Sequence, residues 1–161
     1  MTQIKYKIIL TLIMLFSIFT LLAAYFIQYV LKHQPCNLCL IERIPYIISI
    51  LVIFTCLVFK KFEKISLIIL SLIFFSAALV AFYHFGIEQG FIKESLVCDL
   101  NNQINNLSKE SLLSQLKEMP VSCKNVTFKF FGLSLATFNI FISLILGAIT
   151  MNLFLNYEKN K

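Results

Sequence analysis

Residues 8–31 read IILTLIMLFSIFTLLAAYFIQYVL, an apolar run without one charged side chain. A helix that crosses a bilayer needs about twenty such residues, so this stretch is long enough to span. Two further runs behave alike: Ile65 to Tyr83, closed by His84, and Phe130 to Tyr157, bounded by Lys129 and Glu158. The remaining run, second in chain order, is shorter. Sixteen uncharged residues separate Arg43 from Lys60, about 24 Å of helix, against a hydrocarbon core of roughly 30 Å. Extending the helix back to Pro35 removes the deficit. Pro35 suits a first helical position, where its missing N–H costs nothing. Pro45 then falls inside the helix and predicts a kink, and Cys36–Arg43 lies at the membrane interface.

Composition carries the same message over the whole chain. Of 161 residues 59% are hydrophobic and 14% charged, whereas soluble domains carry about 25% charge. Seventeen Phe and six Tyr supply the bulk, and a water-soluble fold of this size cannot bury that much apolar surface. A formal charge of +6 raises the question of nucleic acid. Here the lysines flank apolar runs instead of forming a basic stripe, so they speak for topology, and no nucleic-acid partner is expected. The prediction is an all-α membrane protein, one domain over 1–161, built as a four-transmembrane-helix bundle. Its spans are expected at about 8–31, 36–59, 65–85 and 130–155, with outer loops at about 32–43 and 86–129.

Orientation follows from the short flanks. Lys5 and Lys7, three lysines in Lys60–Lys64, and Lys159 with Lys161 give seven positive residues in about eighteen; the other side spreads seven over about fifty-six. The denser side is expected in the cytoplasm, with both termini inside and both cysteine-bearing loops outside. The first run is too long for the apolar part of a signal peptide and has no convincing cleavage site, so it reads as an uncleaved span. Within the long outer loop, Leu112, Leu113, Leu116 and Met119 recur at helical spacing after a possible cap at Ser108 or Ser111. That pattern predicts a short amphipathic helix, lying on the lipid surface or covering the loop's own core.

Five cysteines are present, and four lie outside the apolar runs. Cys36-Asn37-Leu38-Cys39 is a C-x-x-C, a spacing shared by redox and zinc sites. At the start of a helix the unpaired N–H groups and the dipole favour a thiolate. Arg43 follows Cys39 by four residues, which on a continuous helix puts a permanent cation one turn away on the same face. Cys39 is therefore the expected thiolate; for Arg43 the plainer alternative is an interfacial anchor paired with Glu42. Cys98 and Cys123 are expected to form a disulfide in an oxidising compartment. Alone, such a pair would be read as a staple, but two thiol pairs facing one side of a membrane can exchange through mixed disulfides. A zinc site on all four cysteines fits less well, because Cys98 and Cys123 are far apart in sequence, and no metal is assigned. Cys56 is read as a small core residue. His84 ends the third span either as a hydrogen-bonded structural residue or as a donor to a carbonyl of a membrane-borne cofactor.

The string Cys36-Asn37-Leu38-Cys39-Leu40-Ile41-Glu42-Arg43-Ile44-Pro45-Tyr46 resembles the first outer-loop motif of the bacterial disulfide bond formation protein B family, DsbB. So do the Cys98…Cys123 pair and Phe131-Gly132-Leu133-Ser134 at the last span, while Tyr83-His84-Phe85-Gly86-Ile87-Glu88-Gln89-Gly90 is similar to alphaproteobacterial members. The likeness covers essentially the whole chain. It implies a bacterial inner-membrane, quinone-dependent thiol oxidase that reoxidises a periplasmic DsbA-like, thioredoxin-like partner. It implies that Cys98 forms the mixed disulfide with that partner, that freed Cys123 exchanges with Cys36, and that Cys39 is released as a thiolate facing ubiquinone or menaquinone. Arg43 matches the arginine that supports quinone binding; Glu42 and His84 are the further candidates for that site.

Two rival readings stand beside this one. A vitamin K epoxide reductase-like enzyme also combines four helices, quinone and outward cysteines, but its C-x-x-C normally lies on a late helix. A structural membrane protein would use its cysteines only to brace the outer loops, and mild thiol donors would then leave them untouched.

Overall fold

The computed structural model describes residues 3–59, 63–93, 98, 123–124, 129–130 and 132–159. Its elements are α1 (Gln3–Tyr29), α2 (Asn37–Ile41), α3 (Ile44–Val58), α4 (Glu63–Glu88), the strands β1 (Lys129–Phe130) and β2 (Leu133–Ser134), and α5 (Leu135–Lys159). Among the described residues, four helical segments are long and apolar enough to cross a membrane: Tyr6–Tyr29, Asn37–Val58, Glu63–Glu88 and Leu135–Asn156. The fold is an all-α bundle with one minimal hairpin. The predicted amphipathic helix around Leu112–Met119 lies outside the described residues.

What the bundle exposes fits lipid and not water. Leu12, Phe19, Leu72 and Leu79 are 58%, 67%, 64% and 72% exposed on the outer faces. A contiguous apolar coat of this kind has no place on a soluble monomer. Between helices the pattern inverts toward small hydroxyl residues. Ser17, Ser49, Ser143 and Thr150 are wholly buried. Ser17 and Thr150 return their hydroxyls to their own helix carbonyls, and Ser49 Oγ reaches Ser17 Oγ across α1 and α3 at 3.3 Å. Small polar residues let helices approach closely where lipid supplies no hydrophobic drive. Leu10, Ile53, Leu67, Leu70 and Phe74 fill the centre. Cys56 belongs to that core, its sulfur 3.4 Å from the Tyr6 hydroxyl.

The second span, Asn37–Val58, is disturbed where the proline predicts a kink. α2 ends at Ile41 and α3 restarts at Ile44 with Pro45 in its first turn, while Glu42 and Arg43 between them keep right-handed helical dihedrals. Proline has no N–H, and its ring collides with the carbonyl four residues back, which here is Ile41, the residue at which α2 stops. Pro35 does not open the helix. Cys36 takes the cap position in extended conformation (φ −73°, ψ 167°), and its sulfur accepts the Cys39 N–H. The last helix begins at Leu135, later than its apolar run, because β1 and β2 pair antiparallel first, Phe130 opposite Leu133. Gly132 supplies the positive φ of 81° that the two-residue turn needs. Ser134 then caps α5, its Oγ accepting the Thr137 N–H at 3.3 Å.

At the end of α1 the chain turns through Lys32 at φ 55°, with the His33 N–H closing back on the Ile27 carbonyl at 3.3 Å. This is the left-handed C-terminal turn that usually carries glycine. A lysine there pays the steric penalty of a Cβ, so Lys32→Gly should stabilise the fold by about 1 kcal/mol. An upward shift of the thermal unfolding midpoint in detergent is the expected readout; an unchanged or lowered midpoint would contradict it.

Candidate redox site

The start of the second span builds the site. Because Cys36 is the cap and Cys39 lies in the first turn of α2, their sulfurs come to 2.7 Å from each other. Cys36 is buried, at 6% exposure, and the Cys39 N–H points at its sulfur at 3.3 Å. The C-terminal end of α4 brings in His84, 2% exposed, with Nε2 at 3.5 Å from the same sulfur. The hydrogen bond from Cys39 draws the Cys36 thiol well below its ordinary value of 9.0; burial opposes this, and the hydrogen bond and charge of His84 add to it. The groups that favour an anion therefore converge on Cys36, whereas the spacing argument placed the thiolate at Cys39.

His84 is itself held. Its Nδ1 lies 2.6 Å from Glu42 Oε1. The other oxygen, Oε2, accepts from Asn139 Nδ2 at 2.8 Å, and Asn139 Oδ1 accepts from the Tyr46 hydroxyl at 2.5 Å. Three helical segments and the α2–α3 turn are tied together through this chain. A carboxylate only accepts, so Nδ1 carries hydrogen and Nε2 is left to face Cys36.

Arg43 occupies the α2–α3 turn and reaches α1. Its guanidinium donates to Gln28 Oε1 at 2.6 Å and lies 5.0 Å from the Tyr25 ring centre. Instead of a partner on its own helix, Arg43 takes Gln28 and Tyr25 on α1. Arg43 and Cys39 do line a common cavity of about 410 Å³, together with Cys36, Glu42, His84 and Glu88. Phe16, Phe19, Ile27, Phe138 and Ile142 form its apolar walls.

The second cysteine pair arrives at the same place. Cys98 and Cys123 form the expected disulfide, with 5.6 Å between their Cα atoms. Both are buried in one cluster with Cys36, Leu38 and Ile87, against which Cys39 and Tyr83 pack. Cys123 also lines the cavity. Four cysteines predicted from two distant segments are thus brought together, and Cys36, Cys39 and Cys56 are free thiols.

The structure adds residues to which sequence reasoning gave no role. Gln28 and Asn139 lie within apolar runs and carry no charge, so a search for charges passes over them. Tyr46 and Glu88 belong to the quoted motifs. Glu88 follows His84 by four residues, a helical spacing that signals a shared face, and its Oε1 is 3.7 Å from His84 Nε2.

The family model described as "Disulfide bond formation protein DsbB" matches residues 6–153. The "Uncharacterized protein RP370" of Rickettsia prowazekii (strain Madrid E) is 28% identical over 158 residues, covering 97% of this chain and 91% of that protein. No solved structure matches the chain.

Proposed function

The chain belongs to the DsbB family of disulfide bond formation proteins, and from that premise we propose that it reoxidises a periplasmic DsbA-like thiol oxidase and passes the electrons to membrane quinone. The family makes it a membrane disulfide-forming oxidoreductase. The finer reading assigns the two cysteine pairs as the electron path, the bacterial inner membrane as the location, and the cytoplasm to both termini. One observation carries it: both pairs meet in one cluster, and Cys36, Cys39 and Cys123 of it line an apolar cavity.

Each exchange step conserves electrons. A thiolate of the reduced partner attacks Cys98, breaking the Cys98–Cys123 bond and leaving Cys123 as a thiolate. Cys123 attacks Cys36 of the Cys36–Cys39 disulfide and expels the Cys39 thiolate. The partner's second thiol resolves the mixed disulfide, and the partner leaves oxidised. Cys98, now free, attacks Cys123, restores the loop disulfide and expels Cys36. The electron pair then rests on Cys36 and Cys39, with the Cys98–Cys123 bond restored. A better leaving group departs faster in thiol–disulfide exchange, so the donors gathered on Cys36 serve that last expulsion.

The cavity suits a quinone, with aromatic and aliphatic walls for a ring and the polar groups of Arg43 and His84 for its oxygens. When bound there it would supply a two-electron, two-proton acceptor. Arg43, pinned by Gln28 and Tyr25, presents a planar donor fork that lysine lacks. Arg43→Lys should therefore raise the quinone concentration for half-maximal rate about tenfold, the loss of one charge-assisted hydrogen bond. Full activity at limiting quinone would remove Arg43 from this role.

The direct test supplies the purified, detergent-solubilised protein with a reduced thioredoxin-fold oxidase and either ubiquinone or menaquinone. One quinone should be reduced for each partner disulfide formed. No turnover with either quinone, with Cys98–Cys123 intact and inert to the donor, would favour the bracing protein instead.

A further inference from the structure

The reduced form of this corner also holds the donor set of a metal site. The two sulfurs of Cys36 and Cys39 and a ring nitrogen of His84 lie within 4.8 Å of one another. Glu42 grips Nδ1 of His84, the carboxylate–imidazole pairing that fixes the tautomer and orientation of a metal-binding histidine. A fourth candidate donor lies next to His84. The Glu88 side chain is only 6% exposed and lines the cavity with Cys36, Cys39 and His84. Its Oε1 is 3.7 Å from His84 Nε2, and its buried Oε2 has no hydrogen-bond partner among the described residues. A buried carboxylate oxygen left without a partner is costly, and a cation would satisfy it.

We propose that the reduced Cys36–Cys39 pair, with His84 and Glu88, binds a thiophilic divalent cation, preferably Zn²⁺, and that the disulfide form does not. Two thiolates and an imidazole select zinc over the oxygen-loving Mg²⁺ and Ca²⁺. Two of the spacings match a tetrahedron. With ordinary zinc–ligand lengths its edges run about 3.3–3.8 Å, and the Cys36–His84 and His84–Glu88 separations are 3.5 and 3.7 Å. The two sulfurs, at 2.7 Å, must part, by about 1 Å, and the Glu88 carboxylate, outside the 4.8 Å group, must close on them. This set differs from the four-cysteine site considered from the sequence, since Cys98 and Cys123 are bonded to each other.

Binding moves no electrons. Two thiols release two protons, two sulfur–zinc bonds form, and the sulfur lone pairs that re-forming the disulfide requires are occupied. The bound ion would thus hold the pair reduced. The site goes beyond the thiol oxidase reading, and it is tested without quinone or partner, so that either idea can fail alone.

The experiment titrates Co²⁺, then competing Zn²⁺, into the full-length reduced protein in detergent under anaerobic conditions. One equivalent should bind with thiolate-to-cobalt charge-transfer absorption, and Zn²⁺ should erase the band. The oxidised protein should show none. Glu42→Gln should weaken binding about 10–100-fold, and His84→Ala and Glu88→Gln at least as much. An unchanged band in Cys36→Ser would assign the metal to the loop thiols freed by reduction and overturn the proposal. So would binding that ignores His84→Ala and Glu88→Gln, or the absence of a band in the reduced wild-type protein.

Discussion

Quinone reduction by the Cys39→Ser protein should fall to background, a loss on the order of 10³-fold or more, as when one member of an interdependent catalytic set is removed. A serine hydroxyl cannot join a disulfide, so the C-x-x-C can neither accept electrons from the loop pair nor surrender them. The same substitution leaves Cys98–Cys123 in place. One equivalent of reduced partner should therefore still be oxidised in a single turnover, after which the reaction stops. That split between a surviving first equivalent and an absent steady state separates a broken electron path from a broken fold. Cys36→Ser should give the same pattern, because Cys123 then has no disulfide to attack. If the Cys39→Ser protein sustained turnover, the electrons would leave by another route and the C-x-x-C would lose its assignment.

The helices were legible because charge is so costly in hydrocarbon: each apolar run ends where a charged or titratable residue allows it to end. The disturbance in the second span was legible too, because a proline inside a helical pattern predicts one, and it falls between Ile41 and Ile44. The reach of Arg43 was not. Four residues on from Cys39 it lies one turn away, yet spacing does not fix where a long side chain goes, and it went to Gln28 and Tyr25 on α1. The disulfide was legible from two outer cysteines alone. Its seat against Cys36 was not, since nothing local in residues 98–123 encodes a contact with residue 36. The network through Glu42, Asn139 and Tyr46 escaped because Asn139 lies 97 and 93 residues from its two partners. A lone uncharged Asn in an apolar run carries little signal until its partners are known.

His84→Ala tests that network where it meets the chemistry. In the intact site, Cys39 and His84 together pull the Cys36 thiol below its ordinary value while burial pushes it up. Removing His84 deletes a hydrogen bond and a charge from the anion-favouring side and leaves most of the burial, so the Cys36 value must rise. The sign of the pH effect follows. Above its lowered value Cys36 is anionic in the reduced wild-type protein and reacts with an alkylating reagent; as pH falls through that value the reaction is lost. In His84→Ala the loss should begin at higher pH. Turnover should fall about 10–100-fold, the span expected when one charge-assisted hydrogen bond of 1.5–3 kcal/mol to a developing charge is removed. Because Cys36 then leaves slowly from its bond to Cys123, the Cys36–Cys123 disulfide should accumulate during turnover, visible by non-reducing peptide mapping. Glu42→Gln keeps the imidazole but weakens its hold, and should move the alkylation profile in the same direction by less. A merely structural histidine would lower activity without shifting the Cys36 profile and without trapping the Cys36–Cys123 bond, and that result would leave the expulsion of Cys36 to the Cys39 N–H and thiol alone.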